Sequence, residues 1–269
     1  KKDCSYYRKR FMTTKKIIQP AMDIIEAYLH MPIGKHTVAC PYMNNKKTKV
    51  RAGLRVHLGK GSVEDIVQEI AIIARKKHVD LASLSQEEVK KFLVDNAIGI
   101  DCSGLAYYIL NAQMIAQTTK PLYSLLSFPK TNNLFRRLVR KFRTIENTNV
   151  RVLADNKNSQ TISLNTIEPG DCIIMLDTGK RHDFDHMLIV HQVDYEDGAP
   201  KIIHYTHSLA WLADGKYNHG VKQGNITVTD TKKDMSQQTW QECEKIGEAN
   251  ETFGRAKSAK ILEIRRLIT

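Results

Sequence analysis

The sequence predicts an α+β domain in which helices pack on an antiparallel sheet, and three observations carry that prediction. Apolar residues recur at helical spacing through the first half of the chain, from Ile24, Ile25 and Leu29 to Leu105, Tyr108 and Ile109. Short apolar, β-branched runs bounded by turn residues fill the second half, the clearest at 172–176, 186–193 and 201–207. No internal repeat or low-complexity tract breaks this succession. Helices first and strands afterwards put the two into separate layers rather than alternating units.

Composition narrows the class further. A chain of 269 residues with 42% hydrophobic and 26% charged residues fits one globular domain with insertions, and is neither disordered nor fibrous. The cysteines at 4, 40, 102, 172 and 243 have no Cys-x-x-Cys spacing, which argues against a zinc finger or a disulfide scaffold. No stretch has the length of a membrane-spanning helix, and residues 1–20 lack the apolar middle of a signal peptide.

The net charge of +12 is clustered. Lys1, Lys2, Arg8, Lys9, Arg10, Lys15 and Lys16 crowd the start, and Lys46, Lys47, Lys49, Arg51, Arg55 and Lys60 follow without an intervening acid. A third run, 134–143, mixes cations with apolar residues at helical spacing. Such patches attract anionic cell-wall polymer or an anionic membrane surface. No nucleic-acid motif accompanies them, so no specific nucleic-acid partner is expected.

Taken in order, 19–30 reads as a first helix with Pro20 in its opening turn. Residues 37–42 are extended but broken by Pro41, suiting an edge strand or an arm. A loop over 53–61 leads to two helices, each announced by a capping box: Ser62 with Asp65, and Ser85 with Glu88. The helix after Asp101 is apolar on most sides and reads as buried. Residues 120–149, broken at Pro121 and Pro129, read as a surface insertion. Pro169-Gly170-Asp171 turns into the 172–176 strand, a polar loop precedes His186, and Tyr195 to Gly198 turns the next strand back. Candidate strands at 225–229 and 260–268 close the chain.

Chemistry concentrates at Asp101-Cys102-Ser103-Gly104. Asp101 caps the helix, which makes Cys102 its first residue, under the positive end of the dipole where a thiol ionises more readily. A cysteine nucleophile needs a base and a group that orients the base. His186, after a polar loop and at the start of an apolar strand, suits the base. Its orienter should lie on the partner strand: a hairpin tip at Glu196 and Asp197 favours His207, whereas a tip at Tyr195 would favour His204. Those two face opposite ways, because side chains alternate along a strand. The same parity separates His186 from His191 and speaks against a zinc site with His182, so no metal or cofactor is expected.

Asp101-Cys102-Ser103-Gly104-Leu105, then Pro169-Gly170-Asp171 opening a strand, then Asp185-His186 opening the next, resembles the NlpC-type (NlpC/p60) cysteine peptidases, whose fold is papain-like. The resemblance implies a peptidase domain over 37–269, with insertions at about 46–97 and 120–150, behind a basic segment and first helix over 1–36. It implies Cys102 as nucleophile, His186 as base and His207 as orienter, with Asp101 and Ser103 holding a substrate amine and Tyr42 lining the site. The implied substrates are peptidoglycan stem peptides or muropeptides, and the implied reaction is amide hydrolysis. Two other readings remain: a papain-like acyltransferase or protein protease, and a non-catalytic module that binds anionic polymer. The compartment expected is the cell envelope or exterior if an upstream signal has been removed, and otherwise the cytoplasm.

Overall fold

The computed structural model of the chain describes residues 11–45, 54–129 and 143–268. Strand β1 (Met12–Lys16) precedes helix α1 (Gln19–Leu29) and a small hairpin of β2 (Met31–Ile33) and β3 (His36–Val38). Helices α2 (Val63–Lys76), α3 (Gln86–Asp95) and α4 (Cys102–Thr118) follow. Then come β4 (Ser159–Ile162), β5 (Cys172–Thr178), β6 (Phe184–Glu196), β7 (Ala199–Leu209), β8 (Gly220–Thr227), β9 (Thr239–Glu242), β10 (Lys245–Ile246), α5 (Glu251–Ser258) and β11 (Ile261–Leu267).

The α+β expectation holds. A nine-stranded sheet runs β10-β9-β8-β7-β6-β5-β11-β4, with every pairing antiparallel, and β1 adds to β6. Strand β6 is long enough to take β5 along its first half and β1 along its second. Its side chains alternate between two cores. Met187 and Ile189 pack with Ile25 and Tyr28 of α1 and with Leu105 and Ile109 of α4. Leu188 and Val190 pack on the other face with Tyr205, Trp240 and Phe253. At roughly 1.5–3 kcal/mol for each fully buried large side chain, these layers supply most of the favourable folding energy.

Both capping boxes form: Ser62 accepts from the Asp65 amide at 3.1 Å and Ser85 from the Glu88 amide at 3.3 Å, with the acids reaching back. Residues 37–42 divide into β3 and an arm, and the arm reaches the main fold where Val221 donates to the Cys40 carbonyl. The 53–61 loop contains a 3-10 turn, Arg55–Leu58. Strand β8 begins earlier than the expected 225–229, because it pairs along β7 from Gly220. Residues 11–36 do not stand ahead of a separate domain: β1 is a strand of the main sheet, and α1 shares the core of α4.

The basic clusters change character where they are described. Lys15 is paired with Glu168 at 2.8 Å, and Arg55 and Arg143 both reach Glu146. Lys60, expected on a basic surface, is buried. Residues 1–10 and 46–53, and all of the 134–143 run except Arg143, lie outside the described residues. Among the described residues, no helix is long and apolar enough to cross a membrane.

The turn before β5 is locked to α4. Gly170 has φ +97°, its amide donates to the Val190 carbonyl at 2.8 Å, and an added Cβ would strike the Gln113 amide of α4. Gly170→Ala is expected to cost the ~1–2 kcal/mol of a left-handed non-glycine residue, because the end of the Gln113 side chain can move aside. Ser62→Ala should cost only the ~1 kcal/mol of a lost cap. Urea unfolding of the two variants checks that order.

Candidate active site

The start of α4 follows from its sequence. Asp101 is its N-cap, accepting from the Gly104 amide at 2.6 Å, and Cys102 is the first helical residue. Gly104 is required by close approach: a Cβ there would collide with the Gly59 carbonyl. That carbonyl also accepts from the Asp101 amide at 3.0 Å, so the loop before α2 presses against the helix start. The arm runs beside it, with Tyr42 bridged to Ile100. The Tyr42 hydroxyl accepts from the Asn44 side-chain amide at 3.0 Å and its backbone amide donates to His219 Nδ1 at 3.1 Å. Burial first, and the Cys102 and Asp101 charges after it, raise the Tyr42 hydroxyl.

Asp101 Oδ1 and Ser103 Oγ are engaged within the chain. The Lys60 ammonium donates to Asp101 Oδ1 at 2.9 Å, to Ser103 Oγ at 2.5 Å and to the Thr148 carbonyl at 2.9 Å. Ser103 in turn donates to Asp101 Oδ1 at 3.0 Å. The two residues expected to hold a substrate amine thus carry the chain's own cation on Asp101 Oδ1 and Ser103 Oγ.

The sheet supplies the imidazoles. His186 Nε2 and His207 Nδ1 are 2.8 Å apart, and His207 Nε2 is 2.9 Å from Glu242 Oε2. The Tyr205 hydroxyl donates to the same carboxylate oxygen at 2.8 Å. His207 is thus the partner of His186. His204 instead meets Asp194 at 2.9 Å, beside His191. The hairpin count reached the right residue by an approximate route. Two register irregularities shift the pairing, and continuing Ile189↔Thr206 would set His186 opposite Leu209, which makes His207 a diagonal neighbour.

The proton positions follow from the network rather than from observed hydrogens. Ionised Glu242 is an acceptor only, so His207 turns an N–H at Nε2 towards it, and one proton lies between His207 Nδ1 and His186 Nε2. Burial, with the His207 ring and the Arg255 guanidinium adding to it, holds His186 well below its ordinary value and keeps it neutral. Burial pushes the Glu242 carboxyl up, but the contacts with His207 and Tyr205 outweigh it and hold the group below the usual carboxylate value.

The thiol departs from expectation. Burial pushes Cys102 up to about 12, and the Asp101 charge adds to the rise. The Lys60 charge and the Met187 and Ser103 amides at the sulfur oppose it without prevailing. A thiol at a helix start is therefore not a thiolate here, because desolvation outweighs the dipole. Cys102 shares its buried core with Met187 of β6, the residue that follows His186. No direct sulfur–imidazole hydrogen bond is found among the described residues.

Sequence reasoning missed Glu242, Lys60 and Arg255. Strand β9 is too short to announce itself, and Lys60 stood in a basic run. Arg255 comes from α5, which was not anticipated, and its guanidinium lies 5.6 Å over the Phe184 ring. A cavity of about 540 Å³ between Arg55, Glu69, Ile72 and Glu146 contains neither the thiol nor the imidazoles.

The burial of this network sets two expectations. Glu242→Ala leaves His207 without its buried partner and is expected to cost about 3–5 kcal/mol in urea unfolding. Depressed histidines make folding acid-sensitive: the unfolded chain takes up protons that the folded one refuses, so stability is full above the ordinary histidine value and falls below it. For His191, lowered from 6.5 to about 4 by burial first, the loss spans that interval, and His191→Asn should flatten unfolding midpoints measured between those pH values.

No protein-family model, curated protein or solved structure matches the chain.

Proposed function

We propose that the chain is a cysteine-dependent amide hydrolase of papain-like, NlpC type, acting on peptidoglycan stem peptides or muropeptides. One observation carries the reading: the capped thiol at the start of α4 shares a buried core with Met187, the residue after His186 in β6, and His186 is held by a buried His207–Glu242 pair. A neutral thiol beside a neutral, pre-oriented imidazole is a nucleophile with its general base.

In this scheme Cys102 Sγ attacks the scissile carbonyl while its proton passes to His186 Nδ1. The Cys102 amide, at the first helical position and without an intrahelical acceptor, faces the developing oxyanion. As the carbon–nitrogen bond breaks, His186 returns the proton to the leaving amine and a thioester remains. Water, deprotonated by His186, attacks the thioester, and the sulfur leaves with the proton to regenerate the thiol. His207 and Glu242 hold the tautomer that makes these transfers possible, and Tyr42 forms one wall. The substrate assignment rests on the resemblance of the Asp101–Leu105, Pro169–Asp171 and Asp185–His186 segments to the peptidases named above.

The same burial that raises the thiol also favours the second reading, a binding module in which Cys102 only packs. Defined muropeptides, with products followed by mass spectrometry, separate the two. Cys102→Ala should fall to background. His186→Ala and Glu242→Gln should each lose on the order of 10²-fold or more, the contribution of general acid–base catalysis. Parent activity equal to that of Cys102→Ala would sink the proposal. Because the thiol is protonated at rest, Cys102 should react with iodoacetamide more slowly than free cysteine at pH 7, as read by peptide mapping.

A further inference from the structure

Lys60 reaches the start of α4 through a fixed path. Its carbonyl accepts from the Tyr108 hydroxyl at 2.9 Å and its backbone bridges Ile100. The neighbouring Gly59 carbonyl fills the space that a Cβ on Gly104 would take. The side chain is 6% exposed and ends among three acceptors of different chemistry: the Asp101 carboxylate, the Ser103 hydroxyl and the Thr148 carbonyl. An alkylammonium has three N–H donors, and each is used. The acceptors therefore form a complete receptor for a primary ammonium group, built on the two residues that flank Cys102. A second ammonium brought to the same acceptors would meet like charge and find the donors' places taken.

We infer that Lys60 fills, from inside the chain, the ammonium site beside Cys102, so that the substrate is taken with no free amino group at that subsite. The substrate clause rests on the amide-hydrolase reading, whereas the receptor clause does not. The class implied is a peptide whose amine near the scissile bond is acylated or embedded in a longer chain.

The substrate clause is read on the parent protein with stem peptides that differ only in a free or an acetylated amino terminus. The expected kcat/KM values agree within about threefold or favour the acetylated peptide. A preference for the free amine of about tenfold or more would overturn it. If neither peptide is cleaved, the hydrolase reading fails and the substrate clause with it, while the receptor clause is decided by Lys60→Ala. Ethylammonium chloride should raise the melting temperature of that variant and leave the parent unmoved. Tetramethylammonium chloride, which has no N–H donors, should move neither. Equal effects of the two salts on Lys60→Ala, or none, would overturn the receptor clause. If the variant does not fold unaided, recovery on refolding reads the same question: recovery with ethylammonium alone supports the clause, and recovery in both salts or in neither overturns it.

Discussion

The carboxylate of Glu242 is the constraint on which the candidate site depends. It is fully buried with His207 and is held ionised by that ring and by Tyr205. A buried charge is tolerated only where hydrogen bonds replace its lost hydration. Both bonds fall on Oε2, while Oε1 is buried without a hydrogen-bond partner among the described residues. An acceptor-only group at one end of a pair of imidazoles fixes an N–H on His207 Nε2 and so orients the ring that meets His186. It can do so only because β7, β8 and β9 are adjacent, which puts Glu242 opposite Gly224 and beneath Tyr205.

The other side of the site is held by a cation. Lys60 joins the loop before α2, the start of α4 and the chain returning at Thr148. The fold thus holds two buried ionic clusters, one anionic relay in the sheet and one cationic tie at the start of α4. The thiol lies between Asp101, which raises it, and Lys60, which lowers it, and these opposing charges leave burial as the deciding influence.

What could be read in advance was local. Ser62, Ser85 and Asp101 announce their helices because a cap is a contact over three residues. The apolar alternation from His186 onward likewise announces β6 and its two faces. His207 was within reach of a hairpin count because the turn at Asp197 and Gly198 lies close by in sequence. Glu242 follows His207 by 35 residues and lies on a four-residue strand whose pairing is set by β8, so no local pattern points to it. Lys60 and Asp101 are 41 residues apart, and a lysine within a basic run carries no mark of burial. Strand β1 was missed for another reason: Met12–Lys16 is exposed along its whole length, so no alternating apolar face betrays a strand held by β6 alone.

The thiol shows how a correct local rule can give the wrong sign. A helix N-terminus does favour a thiolate, but its influence is worth at most about 2 kcal/mol in a partly buried setting. Each pKa unit corresponds to about 1.4 kcal/mol, so the rise of Cys102 from 9.0 to about 12 exceeds what the helix start can offset. The same burial lowers His186, so both groups are driven towards their neutral forms. An ion pair formed in advance would have to overcome both desolvation costs. A proton transferred as the sulfur–carbon bond forms does not, because the charge moves directly to the carbonyl oxygen, where backbone amides receive it. On the proposed hydrolase reading the course is therefore that of a general base acting on a neutral thiol, and the depth of the site, rather than the chemistry of cysteine alone, selects it.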